Sequence, residues 1–240
     1  MNERWVKVKD VNIFVRMTGQ EEGGHTVVFE AGYGNDSKAW DGVWETVSDH
    51  AQVILYDRAG LGRSDPTRSE RTSLHMVEEL REVLHELSIT RPLILVGHSF
   101  GGVNIRLFAS MYPDEVAGLI LVDSTPVDYR ERFLPVMSDG FKIRYAQQFT
   151  LEGNYDEFQE SLDQCKSAEK KPLQIPVVVL CAGKKDHYSE KAQSLWNDMQ
   201  QELSLLSTMG EYRVIEDSAH YIQRDQPDVV ISAIKELIKK

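Results

Sequence analysis

The chain predicts an α/β fold built on a mostly parallel central sheet with helices on both faces. Three observations predict it. Short apolar runs rich in valine, isoleucine and leucine alternate with stretches of helical periodicity along most of the 240 residues. One such run, Leu93-Ile94-Leu95-Val96, leads directly into Gly97-His98-Ser99-Phe100-Gly101 and then into a segment free of turn residues, giving strand, sharp turn and helix with a serine at the apex. The alternation stops only between Pro126 and Pro172, where scattered apolar residues sit among charges with no strand-like run.

The elements follow in order. Residues 5–9 and 11–17 alternate well enough to form an N-terminal hairpin, and residues 19–24 read as a polar loop. Thr26-Val27-Val28-Phe29-Glu30 is an apolar strand entering Ala31-Gly32-Tyr33-Gly34-Asn35, a turn whose glycines let bare backbone approach a ligand. The spacing of Trp40, Val43, Trp44 and Val47 predicts an amphipathic helix. A strand over 52–56 precedes the long turn from Asp57 to Asp65, where Arg58 and Asp65 are read as braces beside the site. Leu74, Val77, Leu80, Leu84 and Leu87 mark a helix, and a second follows Ser99 over 102–112. Strands at 118–122, 176–181 and 211–215, a helix over 190–206 and a final helix started by Asp225 and Pro227 complete the pattern. Residues 1–125 and 173–240 are thus assigned to the core, and 126–172 to a small helical cap whose second half, 156–170, is helical.

Composition narrows the function classes. A formal net charge of −11 repels phosphates and argues against nucleic acid or anionic membrane as a partner. The N-terminal Met1-Asn2-Glu3-Arg4-Trp5 lacks the apolar core of a secretory signal, so a cytoplasmic location with Cys165 and Cys181 reduced is the expectation. Neither the glycines of residues 57–65 nor Gly32-Tyr33-Gly34 complete a phosphate or dinucleotide motif, and no His, Cys or carboxylate cluster has metal-ligand spacing. No metal and no cofactor are expected.

A serine hydroxyl needs a base, and the base needs an orienting carboxylate. In a parallel sheet both must lie beyond the C-terminal ends of strands. Of the seven histidines, His220 lies just past the last strand at that edge and is the expected base. His25 precedes a strand, and His98 leaves the turn on another side and is read as a packing residue. Asp186 and Asp123 each follow a strand at the right edge, and edge position alone does not separate them.

Taken together, Gly-His-Ser-Phe-Gly-Gly at 97–102, the 57–65 turn, the 183–186 turn and Ala219-His220 resemble the α/β-hydrolase family from about residue 10 to the C-terminus, the cap excepted. The resemblance implies the α/β-hydrolase fold and a triad of Ser99, Asp186 and His220. The family's acid usually follows the strand that Asp186 follows, though some members use the one Asp123 follows. It also implies an oxyanion hole from the backbone N–H groups of Phe100 and Tyr33, although the His-Gly common in relatives is replaced here by Ala31-Gly32-Tyr33-Gly34. The expected activity is a carboxylesterase acting on a small-molecule ester of small or medium acyl chain through an acyl-serine. A lactonase, thioesterase, aminopeptidase or carbon–carbon bond hydrolase would use the same triad, and a ligand-sensing or partner-binding protein is the rival from another class. Trp40, Met137, Phe141, Tyr33 and Tyr221 are the candidates for an apolar pocket.

Overall fold

The computed structural model describes residues 2–18 and 24–240; most of the 19–24 loop expected from the sequence lies outside them. The hairpin of β1 (Asn2–Val8) and β2 (Val11–Thr18) is antiparallel and joins an otherwise parallel sheet through β2. The parallel strands are β3 (Thr26–Glu30), β4 (Gln52–Tyr56), β5 (Leu93–His98), β6 (Val116–Val122), β7 (Leu173–Ala182) and β8 (Ser207–Ile215). Among the described residues they form one sheet in the order β1-β2-β4-β3-β5-β6-β7-β8.

Period-two alternation along the strands builds two cores. Val28, Leu95, Leu119 and Val179 face one layer, where they meet α2 (Ser73–Glu86), α3 (Phe100–Met111), α5 (Tyr155–Ala168) and α6 (Glu190–Ser204). Their neighbours Phe29, Val96, Ile120 and Leu180 face the other, against α1 (Trp44–Ser48) and α8 (Pro227–Ile238). The cap segment adds α4 (Asp139–Gln147) and α5 between β6 and β7 and contributes no described strand. Among the described residues no helix is long and apolar enough to cross a membrane.

Two local expectations change. The helix expected around Trp40–Val47 is instead a 3₁₀ turn, Ser37–Trp40, followed by the five-residue α1, because Gly42 interrupts the periodicity. Asp225 does not start the last helix. It closes α7 (Ile222–Asp225), while α8 begins at Pro227, and its carboxylate accepts the Ala219 N–H at 2.9 Å, tying down the loop before α7.

Trp40 is also not a pocket residue. It is fully buried in the core on the α1/α8 face, its ring 5.0 Å from Phe29, because the 3₁₀ turn rolls it under the sheet. Trp40→Ala should therefore cost about 3–5 kcal/mol in urea unfolding. A loss of ligand affinity with stability intact would contradict this placement.

Candidate active site

Sheet order brings distant residues to one rim. β3, β5, β6, β7 and β8 are consecutive parallel neighbours, so the chain leaving each emerges at the same edge. Those exits carry the 31–35 turn, Ser99, Asp123, the 183–188 turn and the 217–221 loop. Backbone bonds stitch them together: Ser99 N–H donates to Val122, Asp123 N–H to Leu180, and Gly183 N–H to Ile215.

Ser99 stands at the apex between β5 and α3 with φ of 52°, a left-handed conformation that an L-residue holds only when its surroundings enforce it. The enforcement is packing. A Cβ on Gly97 would meet the Gly101 carbonyl at 2.7 Å, and one on Gly101 would run into the carbonyls of Glu30 and Ala31. Strand, turn and helix thus approach at a distance only glycine permits, and Phe100 opens the helix. Neither the Phe100 nor the Tyr33 N–H donates a hydrogen bond within the described residues. Both are free for an incoming acceptor.

The carboxylate against the imidazole is that of Asp123, not Asp186. His220 Nδ1 donates to Asp123 Oδ2 at 2.5 Å, and Lys185 Nζ reaches the same oxygen at 2.5 Å. Asp123 Oδ1 accepts from Trp196 Nε1 at 2.7 Å and from the Ala182 N–H at 3.1 Å. The correction has a physical reason. Asp123 follows β6 at once and has φ of 43°, whereas Asp186 stands four residues past the end of β7, exposed at the cavity edge. Lys185 occupies the inward position beside Asp123 instead.

Burial alone would raise the Asp123 carboxyl, but the Lys185 ammonium and His220 hold it well below the usual carboxylate range. An ionised Asp123 only accepts, so Nδ1 of His220 carries a proton, and in the neutral ring the lone pair lies on Nε2. Lys185 is itself lowered by burial, against the pull of Asp123, and lies 3.6 Å from the centre of the Trp196 ring. No hydrogen bond joins Ser99 to His220 among the described residues; the two side chains share one cavity.

His98 packs, as its sequence position suggests, but at a consequential place. Its Nε2–H donates to the His220 carbonyl at 2.9 Å, and its ring lies 4.6 Å from the His220 ring and 4.8 Å from Tyr221. Burial holds His98 well below the ordinary imidazole range, so a neutral ring packs behind His220.

The cavity holds about 470 Å³ and opens over Ser99 and His220. Tyr33, Phe141 and Tyr221 line it as expected from the sequence, and Asp186 sits at its wall. Met137 does not line it; that side chain, within the 126–172 segment itself, is buried in the apolar cluster on the α2/α3 face. Sequence reading missed Tyr129, Tyr145, Phe158, Tyr188 and Trp196, which supply most of the aromatic wall. For Tyr129, Tyr145 and Phe158 the signal available was the density of aromatics between residues 126 and 172; Tyr188 and Trp196 lie beyond that segment, after β7 and in α6.

Residues 25–173 match the family model described as the alpha/beta hydrolase fold, and the chain belongs to that family. The uncharacterised protein YqjL of Bacillus subtilis is 31% identical over 214 residues, spanning 88% of this chain and 82% of that protein. Among solved structures, Cfl2 of Burkholderia cenocepacia is similar with a TM-score of 0.75 at 19% identity, covering 98% of this chain and 95% of the other. The carboxylesterase CesB of Bacillus subtilis has a TM-score of 0.72 at 15% identity, with 99% and 91% covered.

The Asp123 environment predicts an acid signature. Its folded pKa lies below the unfolded value of about 3.9, so its stabilisation is complete above that value and is lost as pH falls through the folded pKa. In urea unfolding between about pH 5 and pH 2, wild-type stability should fall more steeply than that of Asp123→Asn. Parallel slopes would contradict the assignment.

Proposed function

We propose that this chain is a serine hydrolase cleaving carboxylic esters of small or medium acyl chain. Ser99 is the nucleophile and His220 the general base. Asp123 orients the imidazole in the role that sequence reading assigned to Asp186, and the N–H groups of Tyr33 and Phe100 receive the oxyanion. The observation that carries this reading is the 2.5 Å bond from His220 Nδ1 to a fully buried carboxylate, at the wall of the cavity that also holds a strained serine. That the similar structure CesB is named a carboxylesterase gives the ester preference a precedent on the same fold.

The chemistry follows from those positions. With an ester bound, Ser99 Oγ closes on His220 Nε2, a contact that commonly tightens only in the substrate complex. Oγ attacks the carbonyl carbon while its proton passes to Nε2, and the carbonyl π electrons become an oxyanion between the two N–H donors. Collapse breaks the C–O bond, and the alcohol leaves with the proton from His220. Water then repeats the sequence on the acyl-serine, freeing the acid. Lys185 neutralises Asp123 when His220 is uncharged, and the aromatic wall favours an apolar acyl or alcohol group.

p-Nitrophenyl esters of increasing chain length test the reading. Ser99→Ala should lose at least about 10⁴-fold in kcat and Asp123→Asn about as much, with Asp186→Asn within about threefold of wild type. Undiminished turnover by Ser99→Ala would refute the hydrolase. A single slow turnover by the wild type, with the ligand retained, would favour a sensor.

A further inference from the structure

Leu151-Glu152-Gly153-Asn154 joins α4 to α5, and within this turn the Glu152 side chain is completely buried. Its partner is Arg58, which does not brace its own turn but reaches under the loop after β3. Arg58 Nε donates to Glu152 Oε1 at 2.5 Å and Nη2 donates to Oε2 at 2.8 Å. The same guanidinium donates to the carbonyls of Ala31 at 2.7 Å and Gly32 at 2.8 Å, and to Glu30 at 2.9 Å. Glu152 Oε2 also accepts the Gly34 N–H at 3.0 Å. Every donor group of Arg58 is therefore spent on the loop that carries Tyr33 or on the carboxylates beside it.

Peptide planarity turns this clamp into an orientation. The Gly32 carbonyl and the Tyr33 N–H belong to one trans peptide and point in opposite directions. With that carbonyl pinned on Arg58, the Tyr33 N–H is held pointing away from Arg58. The next peptide is pinned through the Gly34 N–H on Glu152 and through the Tyr33 carbonyl, which accepts from Asn35 Nδ2 at 2.9 Å. A second tie joins the same two segments: the Tyr33 hydroxyl donates to the Gly153 carbonyl at 2.7 Å and accepts the Gly153 N–H at 2.9 Å.

We infer that Glu152 is a positioning residue that makes the oxyanion hole conditional on the cap: with the cap seated, its carboxylate completes the Arg58 clamp and fixes the direction of the Tyr33 N–H. The inference rests on the hydrolase reading above and adds a coupling between cap and catalytic loop. Charge supports it. Burial would raise the Glu152 carboxyl, but Arg58 holds it below its ordinary value, so it stays ionised and pairs as a fork. Lifting the cap would strip the guanidinium of one of its two buried carboxylates, leaving Glu30, a costly state. It loosens the hold on a Gly32 carbonyl otherwise held, among the described residues, only by the Asn35 N–H at 3.1 Å.

Glu152→Gln keeps the shape and removes the charge, and it is tested in the full chain well below its melting temperature. The expected result is a fall in kcat on the order of 10- to 100-fold with KM changed by less than about threefold, short of the loss from deleting a whole donor. Affinity for a trifluoromethyl ketone, which forms an oxyanion on Ser99, should fall by the same factor as kcat/KM, and affinity for the product acid should not. Arg58→Lys, which keeps charge but not the fork, should behave alike. A folded Glu152→Gln with a lowered Tm but wild-type kcat and ketone affinity would overturn the inference and leave a merely structural ion pair.

Hydrogen exchange on the wild type decides the matter if the variants fail to fold. A fluorophosphonate adduct at Ser99 should slow exchange in both 31–35 and 150–158, and protection confined to 31–35 would overturn the coupling. Wild-type protein that neither turns over esters nor takes the phosphonate overturns the hydrolase reading and this inference with it. A wild type that does both, beside an unaffected Glu152→Gln, overturns the inference alone.

Discussion

The Asp123 carboxylate has no exposed surface; three hydrogen-bond donors from separate parts of the chain share its two oxygens, His220, Trp196 and the Ala182 N–H, and the Lys185 ammonium pairs with it as a counter-charge. A lone buried carboxylate would take up a proton, and a protonated acid could not hold the imidazole in a single tautomer. With an ammonium and three further N–H groups around it, the charge is retained and the ring is locked. The sheet supplies these donors together because β6, β7 and β8 lie side by side. Asp123 leaves β6, Ala182 and Lys185 come from β7 and its turn, Trp196 from α6, and His220 from the loop after β8.

A second buried charge cluster performs the matching task on the other side of Ser99. Glu30, Arg58 and Glu152 pair beneath the loop after β3, with the Tyr56 hydroxyl donating to Glu30 and Asn104 Nδ2 donating to it at 2.9 Å. Buried ion pairs of this kind add little net stability, because desolvation offsets most of the Coulomb attraction. Their return is directional, since each guanidinium N–H can satisfy only one geometry. Ser99 thus sits between two polar networks, one around the His220 imidazole and the other around the loop that carries Tyr33.

Most of the fold was legible in the sequence because strand alternation and helix periodicity are local signals. The serine turn and His220 were legible for the same reason, since both follow a strand at the edge where ligands gather. The choice between Asp123 and Asp186 was not, because both lie at that edge and only the direction of the side chain separates them. That direction depends on the left-handed backbone at Asp123 and on Lys185 filling the place beside it. Trp40 and Met137 are apolar and buried, as sequence reading expects of such residues, but apolar character does not reveal that Trp40 joins the opposite face of the sheet or that Met137, on the cavity's face, is packed away from the opening. Glu152 was invisible: a carboxylate in a polar turn looks solvated until its distant partner, Arg58, is brought to it by the fold.

The central claim is that Asp123 fixes the proton of His220 on Nδ1 and so leaves Nε2 free for Ser99. Nitrogen-15 NMR of histidine-labelled protein reads this directly. A low-field exchangeable proton bonded to Nδ1 of His220 is expected, retained in Asp186→Asn and lost in Asp123→Asn. A neutral His220 protonated on Nε2, or a signal indifferent to Asp123, would contradict it.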